Sequence, residues 1–265
     1  MAKPKLALIP ATQGSKLYSV LPADGVGDFN FSRNSAATRI NKDGLIETVA
    51  VGKSRLNYPL IDGVVNGCPS HLLEPQRTNI IAYSEDFSNA YWTKSGSSVT
   101  SGFTSPKGDL SAFKLVEDTA NSGHFIKRRI DTSSSFLSNS IFVKAGEVTK
   151  IGISESGSTD DYASFNLSNG VLIASGGNPS FSIKEMSNDW YRISLTSDSQ
   201  LSRNDFNLAL LSDDYVSGVP YSQSYQGDGT SGVYIYGAQL EQGSYPTSYI
   251  PTTTSAVTRV AETAN

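Results

Sequence analysis

The sequence predicts an all-β protein: an antiparallel jelly-roll β-sandwich preceded by an irregular N-terminal segment. Three observations lead there. Short β-rich runs recur from Leu110 to Leu240, separated by Gly, Asn, Asp, Ser or Pro. Ser and Thr together make up 60 of 265 residues, beside 23 Gly and 13 Tyr, which suits many short strands joined by polar turns. No long stretch keeps a 3.6-residue apolar period, so helices are not expected.

The strand assignments follow from local pattern. Ten runs stand out: Ala112–Glu117, His124–Asp131, Ser140–Ala145, Val148–Ser154, Asp161–Leu167, Val171–Ala174, Ser180–Met186, Trp190–Thr196, Phe206–Leu211 and Val233–Leu240. Tyr191, Ile193 and Leu195 alternate with Arg192, Ser194 and Thr196, and Phe206, Leu208 and Leu210 alternate with Asn207 and Ala209. Period two with one wet face means sheets packed face to face. About ten such runs at this spacing point to a jelly roll. The closing strand differs, because Val233 and Ile235 alternate with Tyr234 and Tyr236 and both faces are apolar. Trp92 and Trp190 are expected in the core.

Residues 1–77 lack this regularity. Residues 22–30 are turn-rich, and Asp43-Gly44 between two short β-like runs signals a hairpin. With so little apolar periodicity, this part is expected to order on the sandwich or on copies of itself, as an anchoring or oligomerisation segment. The division is therefore 1–77, a sandwich over 78–250, and a tail over 251–265.

Composition narrows function. A net charge of −4 and a pI near 5.2 supply no basic stripe for nucleic acid. The one basic cluster, Lys127-Arg128-Arg129, reads as a solvated face. Cys68 is alone, so no intrachain disulfide is expected. Leu6–Ile9 is too short for a signal-peptide apolar region, and no run approaches the roughly 18 apolar residues of a membrane span. No membrane partner is expected, and release by cell lysis fits.

Catalytic constellations are weak. His71 and His124 show no zinc spacing. Cys68 and His71 read better as a loop thiol and a surface imidazole than as a nucleophile pair. Gly152–Gly157 misses the G-x-S-x-G spacing by one residue. Asp160-Asp161 and Asp213-Asp214 read as turn residues. No catalytic residue is assigned, and the chain is expected to be no enzyme.

What remains suits binding. A loop of about twenty residues before the closing strand carries Tyr215, Tyr221 and Tyr225 together with Asp213, Asp214, Gln223, Gln226 and Asp228. Flat rings stack on sugar faces, while carboxylates and amides bind sugar hydroxyls. These eight residues are the candidate carbohydrate site. An intersubunit contact, where tyrosine is also enriched, is the competing reading.

The segment Y-x-Y-G-A-Q-L-E-x-G-x-x-P-T-S-Y-I-P-T, from Tyr234 to Thr252, resembles the closing segment of a β-sandwich module of bacteriophage virion proteins. That module is itself similar to carbohydrate-binding modules with a galactose-binding-like jelly roll. Arg33–Ile46 and Leu72–Asn79 match two further segments of such phage proteins, so the resemblance covers about Phe29 to Arg259. Asn79 to Trp92 resembles the opening of carbohydrate-binding modules of families 4, 9 and 22, with Asp86-Phe87 and Trp92 in the matching positions and Glu85 in place of the usual Gly. Many such modules hold a structural calcium, and Glu85, Asp86 and Glu241 are the side chains that would bind it here. The closing strand reads Tyr-Ile-Tyr-Gly without the family's acid, and the other reading of the three carboxylates is turn capping. No other cofactor is implied.

The resemblance implies a structural protein of the virion: a fibre, decoration or appendage subunit with other virion proteins as neighbours. It favours a homo-oligomer, a trimer above all, adhering to host-surface or environmental glycans through several weak sites. The alternatives are a polysaccharide-degrading enzyme or its binding module, and a purely architectural joint without a ligand.

Overall fold

Strand alternation builds a two-sheet sandwich, and the computed structural model describes it through residues 11–13, 16–18, 29–132, 136–156, 161–198, 204–220 and 223–264. The chain divides into two units. One comprises Met1–Arg77, Thr247–Ile250 and Thr258–Asn265, the other Thr78–Pro246 and Pro251–Val257. Almost all regular structure is strand, and a 3-10 turn lies at Ser187–Asp189.

The larger unit is an all-β sandwich of two six-stranded antiparallel sheets. Its strands are β1 (Thr93–Ser95), β2 (Ser97–Phe103), β3 (Ala112–Glu117), β4 (Phe125–Ile130), β5 (Leu137–Ala145) and β6 (Lys150–Ser156). They continue with β7 (Tyr162–Asn166), β8 (Val171–Gly176), β9 (Ser180–Glu185), β10 (Trp190–Ser197), β11 (Asn204–Leu211) and β12 (Gly232–Gln242). The first sheet runs β2-β3-β12-β5-β10-β9 and the second β1-β4-β11-β6-β7-β8. The closing strand β12 lies between β3 and β5, and Tyr236 on its outer face is buried beside Phe142, Glu85 and Lys107, so that face is covered too.

Between the sheets Leu115, Ile141, Val143, Ile193 and Leu195 of the first meet Ile126, Ile151, Ile153, Phe165, Phe206 and Leu208 of the second, all buried. A register shift where β5 pairs with β12 falls at Gly237, whose φ of 62° needs no side chain. The bulge changes parity. Val233 and Ile235 face the core before it, and Ala238 and Leu240 after it.

The chain opening is laced to β12. The Asn79 side chain donates to the Ala238 carbonyl at 3.1 Å and accepts from the Leu240 amide at 3.1 Å. Trp92 packs on Phe87 and Phe206 and donates through Nε1 to the Tyr83 carbonyl, filling the core as expected. Trp190 is buried as well.

The smaller unit forms the hairpin signalled by Asp43-Gly44, pairing Ala37–Ile40 with Ile46–Val49, and Gly44 takes a φ of 79°. Sequence periodicity suggested that this part could not bury a core of its own. It buries a mixed one, in which Phe31, Ile46, Val49 and Ile250 lie buried beside an ionic cluster. Arg33, Arg55 and Arg259 are all but inaccessible to solvent. Glu262 takes Arg33 Nη1 at 2.6 Å and Arg55 Nε at 2.7 Å on Oε1, and Arg55 Nη2 and the Glu74 amide on Oε2. Glu74 takes Arg55 and Arg259, together with the amide and hydroxyl of Ser248. Burial works against the Glu74 charge, but Arg259, the Ser248 hydroxyl and Arg55 outweigh it and hold the carboxyl below the usual range. Paired and hydrogen-bonded charges can occupy an interior that apolar side chains do not fill.

Candidate functional site

At one end of the sandwich several strand ends converge on a cavity of about 200 Å³. Glu117 ends β3, Glu147 and Val148 turn from β5 into β6, Leu211 ends β11 with Ser212 and Asp213 after it, and Ser231 precedes β12. Tyr225 completes the wall. A short two-residue strand holds it there, with Tyr225 opposite Ser122 and Gln226 opposite Asn121.

Hydrogen bonds fix this wall closely. The Tyr225 hydroxyl donates to Glu117 Oε2 at 2.6 Å, and the Asp228 amide donates to Glu117 Oε1 at 2.9 Å. Burial first, then the bond to Glu117 and its charge, push the Tyr225 phenol well above its ordinary range. The buried His124 ring lies edge-on to Tyr225 at 4.5 Å. Its Nδ1 faces the Gly96 carbonyl at 2.5 Å and its Nε2 the Tyr225 carbonyl at 3.1 Å. Gly227 has to be glycine, because a Cβ there would lie 2.0 Å from the Asp118 carbonyl oxygen. The Glu147 carboxyl is exposed and lowered, first by its hydrogen bond from Lys114, 2.6 Å away. The cavity thus presents carboxylate acceptors at Glu117, Glu147 and Asp213, hydroxyls at Ser212 and Ser231, and an aromatic edge at Tyr225.

Of the eight residues singled out for carbohydrate, Tyr225 and Asp213 line this cavity. Tyr221 lies outside the described residues. The others have local partners. Tyr215 is only 4% exposed, and its hydroxyl bonds Ser164 Oγ at 2.9 Å and the Gly218 carbonyl at 2.5 Å. Gln223 holds Ser212 through both ends of its amide, and Asp214 accepts from the Ser212 hydroxyl. Gln226 donates to the Thr119 carbonyl. Asp228 closes a turn on Thr230 and Ser231, whose hydrogen bonds hold its carboxyl well below its usual range. Glu117, Glu147 and Ser231 escaped the sequence reading because they sit at strand ends distant in the chain.

The three carboxylates considered for calcium have separate surroundings. Glu85 accepts from the Tyr236 hydroxyl at 2.6 Å and lies 3.6 Å from Lys107. Asp86 accepts from the amide and hydroxyl of Ser88. Glu241 is buried and accepts from Gln239 at 2.7 Å. Among the described residues no three His, Cys, Asp or Glu side chains gather as a metal group.

No family model matches the chain, and no curated protein matches it. Among solved structures it matches the enzymatically active domain of tailspike protein 4 of bacteriophage CBA120, at 15% identity and a TM-score of 0.36. The match covers 61% of this chain and 21% of that one. The expectation that this chain is no enzyme is corrected on that finding, since the matched domain is described as enzymatically active. A likeness this distant assigns no reaction and no catalytic residue here.

Proposed function

We propose that the chain is a glycan-interacting protein of a bacteriophage particle, and that the sandwich-end cavity is where it holds a sugar. One observation carries the site: an aromatic edge, three carboxylates and two hydroxyls converge on a single hollow. Ionised carboxylates accept hydrogen bonds from sugar hydroxyls, and the Tyr225 ring adds apolar contact. At about 200 Å³ the hollow lies below the roughly 300 Å³ of ordinary small-molecule sites, so it suits one sugar unit rather than a long chain segment. A site that small binds weakly, and several copies on one particle would raise the avidity.

The phage setting is supported by the resemblance of Tyr234–Thr252, Arg33–Ile46 and Leu72–Asn79 to virion proteins. The same resemblance supports a jelly-roll sandwich, a place in the virion beside other particle proteins, and self-association as a trimer. Glu147 and Asp213 are the residues to test, since both are exposed and neither is needed for packing. Wild type, Glu147→Gln and Asp213→Asn are compared on a glycan array, with release of reducing ends followed on every polysaccharide that binds. Binding weakened in both variants supports the reading. A folded protein that binds nothing, or whose binding ignores both changes, overturns it.

A further inference from the structure

The hollow at the sandwich end is acidic. Glu117, Glu147 and Asp213 line it, and none of the described lining side chains is cationic. Two lysines come near, and both are spent elsewhere. Lys114 pairs with Glu147 at 2.6 Å and donates to the Thr230 carbonyl at 3.0 Å. Lys150 donates to the backbone carbonyls of Asp213 and Tyr215. The carboxylates differ in what they still lack. Glu117 is filled by the Tyr225 hydroxyl and the Asp228 amide, and Glu147 by Lys114 and the Gly232 amide at 3.3 Å. The Asp213 side chain is exposed and has no donor among the described residues.

The wall senses this charge. After burial and the bond to Glu117, the charges of Glu117, Asp228 and Asp213 push the Tyr225 phenol further up. A recess lined by one sign of charge concentrates ligands of the other. A bare metal ion does not fit the description, since no three metal-binding side chains gather among the described residues. The hollow has room for one sugar unit, and Ser212, Ser231 and the Tyr225 ring suit hydroxyls and carbon as well as charge. An ammonium group brings three donors and no acceptor, which complements carboxylates that only accept. A uronate would instead set like charge against like.

We propose that the hollow selects an amino saccharide, a hexosamine unit whose free ammonium lies against Asp213 while Ser212 and Ser231 meet its hydroxyls. This names the substrate class of the site proposed above and rests on that reading. Asp213 is then the specificity-determining residue, because a hydrogen bond between two charged groups is about twice as strong as a neutral one. An N-acetylated unit has the same ring and no charge, so it forgoes that bond.

Calorimetric titration with glucosamine hexamer, N-acetylglucosamine hexamer and cellohexaose tests this at about pH 6, where carboxylates are ionised and the amine is protonated. The glucosamine hexamer should bind at least about ten-fold more tightly than the other two, the step that one charge-assisted hydrogen bond makes. Asp213→Asn should remove the preference. Asp131→Asn should keep it, since that exposed carboxylate lies beyond the far end of β4, beside Arg129, and shares only the net charge. Raising the pH to about 9 discharges the amine and no carboxylate, so the preference should vanish there too. No binding of any hexamer by the folded protein sinks the sugar site and this selection with it. Equal binding of all three leaves the site standing and overturns the selection. A preference that survives Asp213→Asn or the rise in pH overturns it as well, as does spermidine bound as tightly as the glucosamine hexamer.

Discussion

Replacing Glu262 by Gln should destabilise the smaller unit while sparing the sandwich. Glu262 receives four donors: Arg33 Nη1, Arg55 Nε, Arg55 Nη2 and the Glu74 amide. Glutamine keeps the shape and one acceptor oxygen. Its amide nitrogen, however, turns two hydrogens toward groups that are themselves donors. Arg33 and Arg55 then stay buried with Glu74 as the only carboxylate of the cluster. Removing one partner of a buried charge pair costs about 3–5 kcal/mol. Domain stability is commonly only about 5–15 kcal/mol, so at least about a fifth of the reserve is lost. Both tryptophans, Trp92 and Trp190, lie in the sandwich, so their fluorescence follows that unit alone. Urea titration read by tryptophan fluorescence should barely move. Amide exchange across Ala37–Val49 should accelerate by about two to four orders of magnitude, the kinetic image of that free-energy loss. Exchange within a factor of about three of wild type would refute the argument that the network holds the unit together.

Acid should act on the same unit. The folded Glu74 carboxyl lies below its unfolded value, so its contribution is present at neutral pH and drains away as pH falls below about 4 through the depressed folded value; exchange measured against pH should show the smaller unit opening in that window. Tyr225→Phe leaves the buried Glu117 Oε2 without its 2.6 Å donor and should cost about 1–3 kcal/mol in urea titration. In alkaline spectrophotometric titration of the wild type, Tyr225 should stay protonated through the ordinary tyrosine step near about pH 10, because burial and Glu117 raise it. Gly232→Ala would set a methyl 2.0 Å from the Leu115 carbonyl oxygen between paired backbones, and should cost about 4 kcal/mol or more by the same titration.

The sandwich was legible because most of its strands alternate. Phe206, Leu208 and Leu210 on one sheet and Ile193 and Leu195 on the other are buried, as their spacing required. Strands β1 and β2 carry no such alternation. Thr93–Ser95 and Ser97–Phe103 are edge strands of Ser, Thr and Gly, mostly half-buried or exposed, so no apolar period marks them. The bulge at Gly237 was illegible for another reason. A single inserted residue reverses which parity faces the core, and a strand apolar on both faces hides the reversal. The ionic interior was hidden most completely. Its arginines and glutamates are scattered from Arg33 to Glu262, and each read alone is an ordinary surface residue.

The candidate site was legible as a loop rich in tyrosine and acids, but residue type did not say which side chains would face a ligand. Backbone demand decided that. A segment that crosses a sheet face needs anchors, so Tyr215 is spent on Ser164 and Gly218, and Gln223 on Ser212. Tyr225 differs because its bond goes to a carboxylate at the cavity wall, which leaves its ring beside the hollow. Glu147 and Glu117 join it only because β3, β5, β11 and β12 end at the same place.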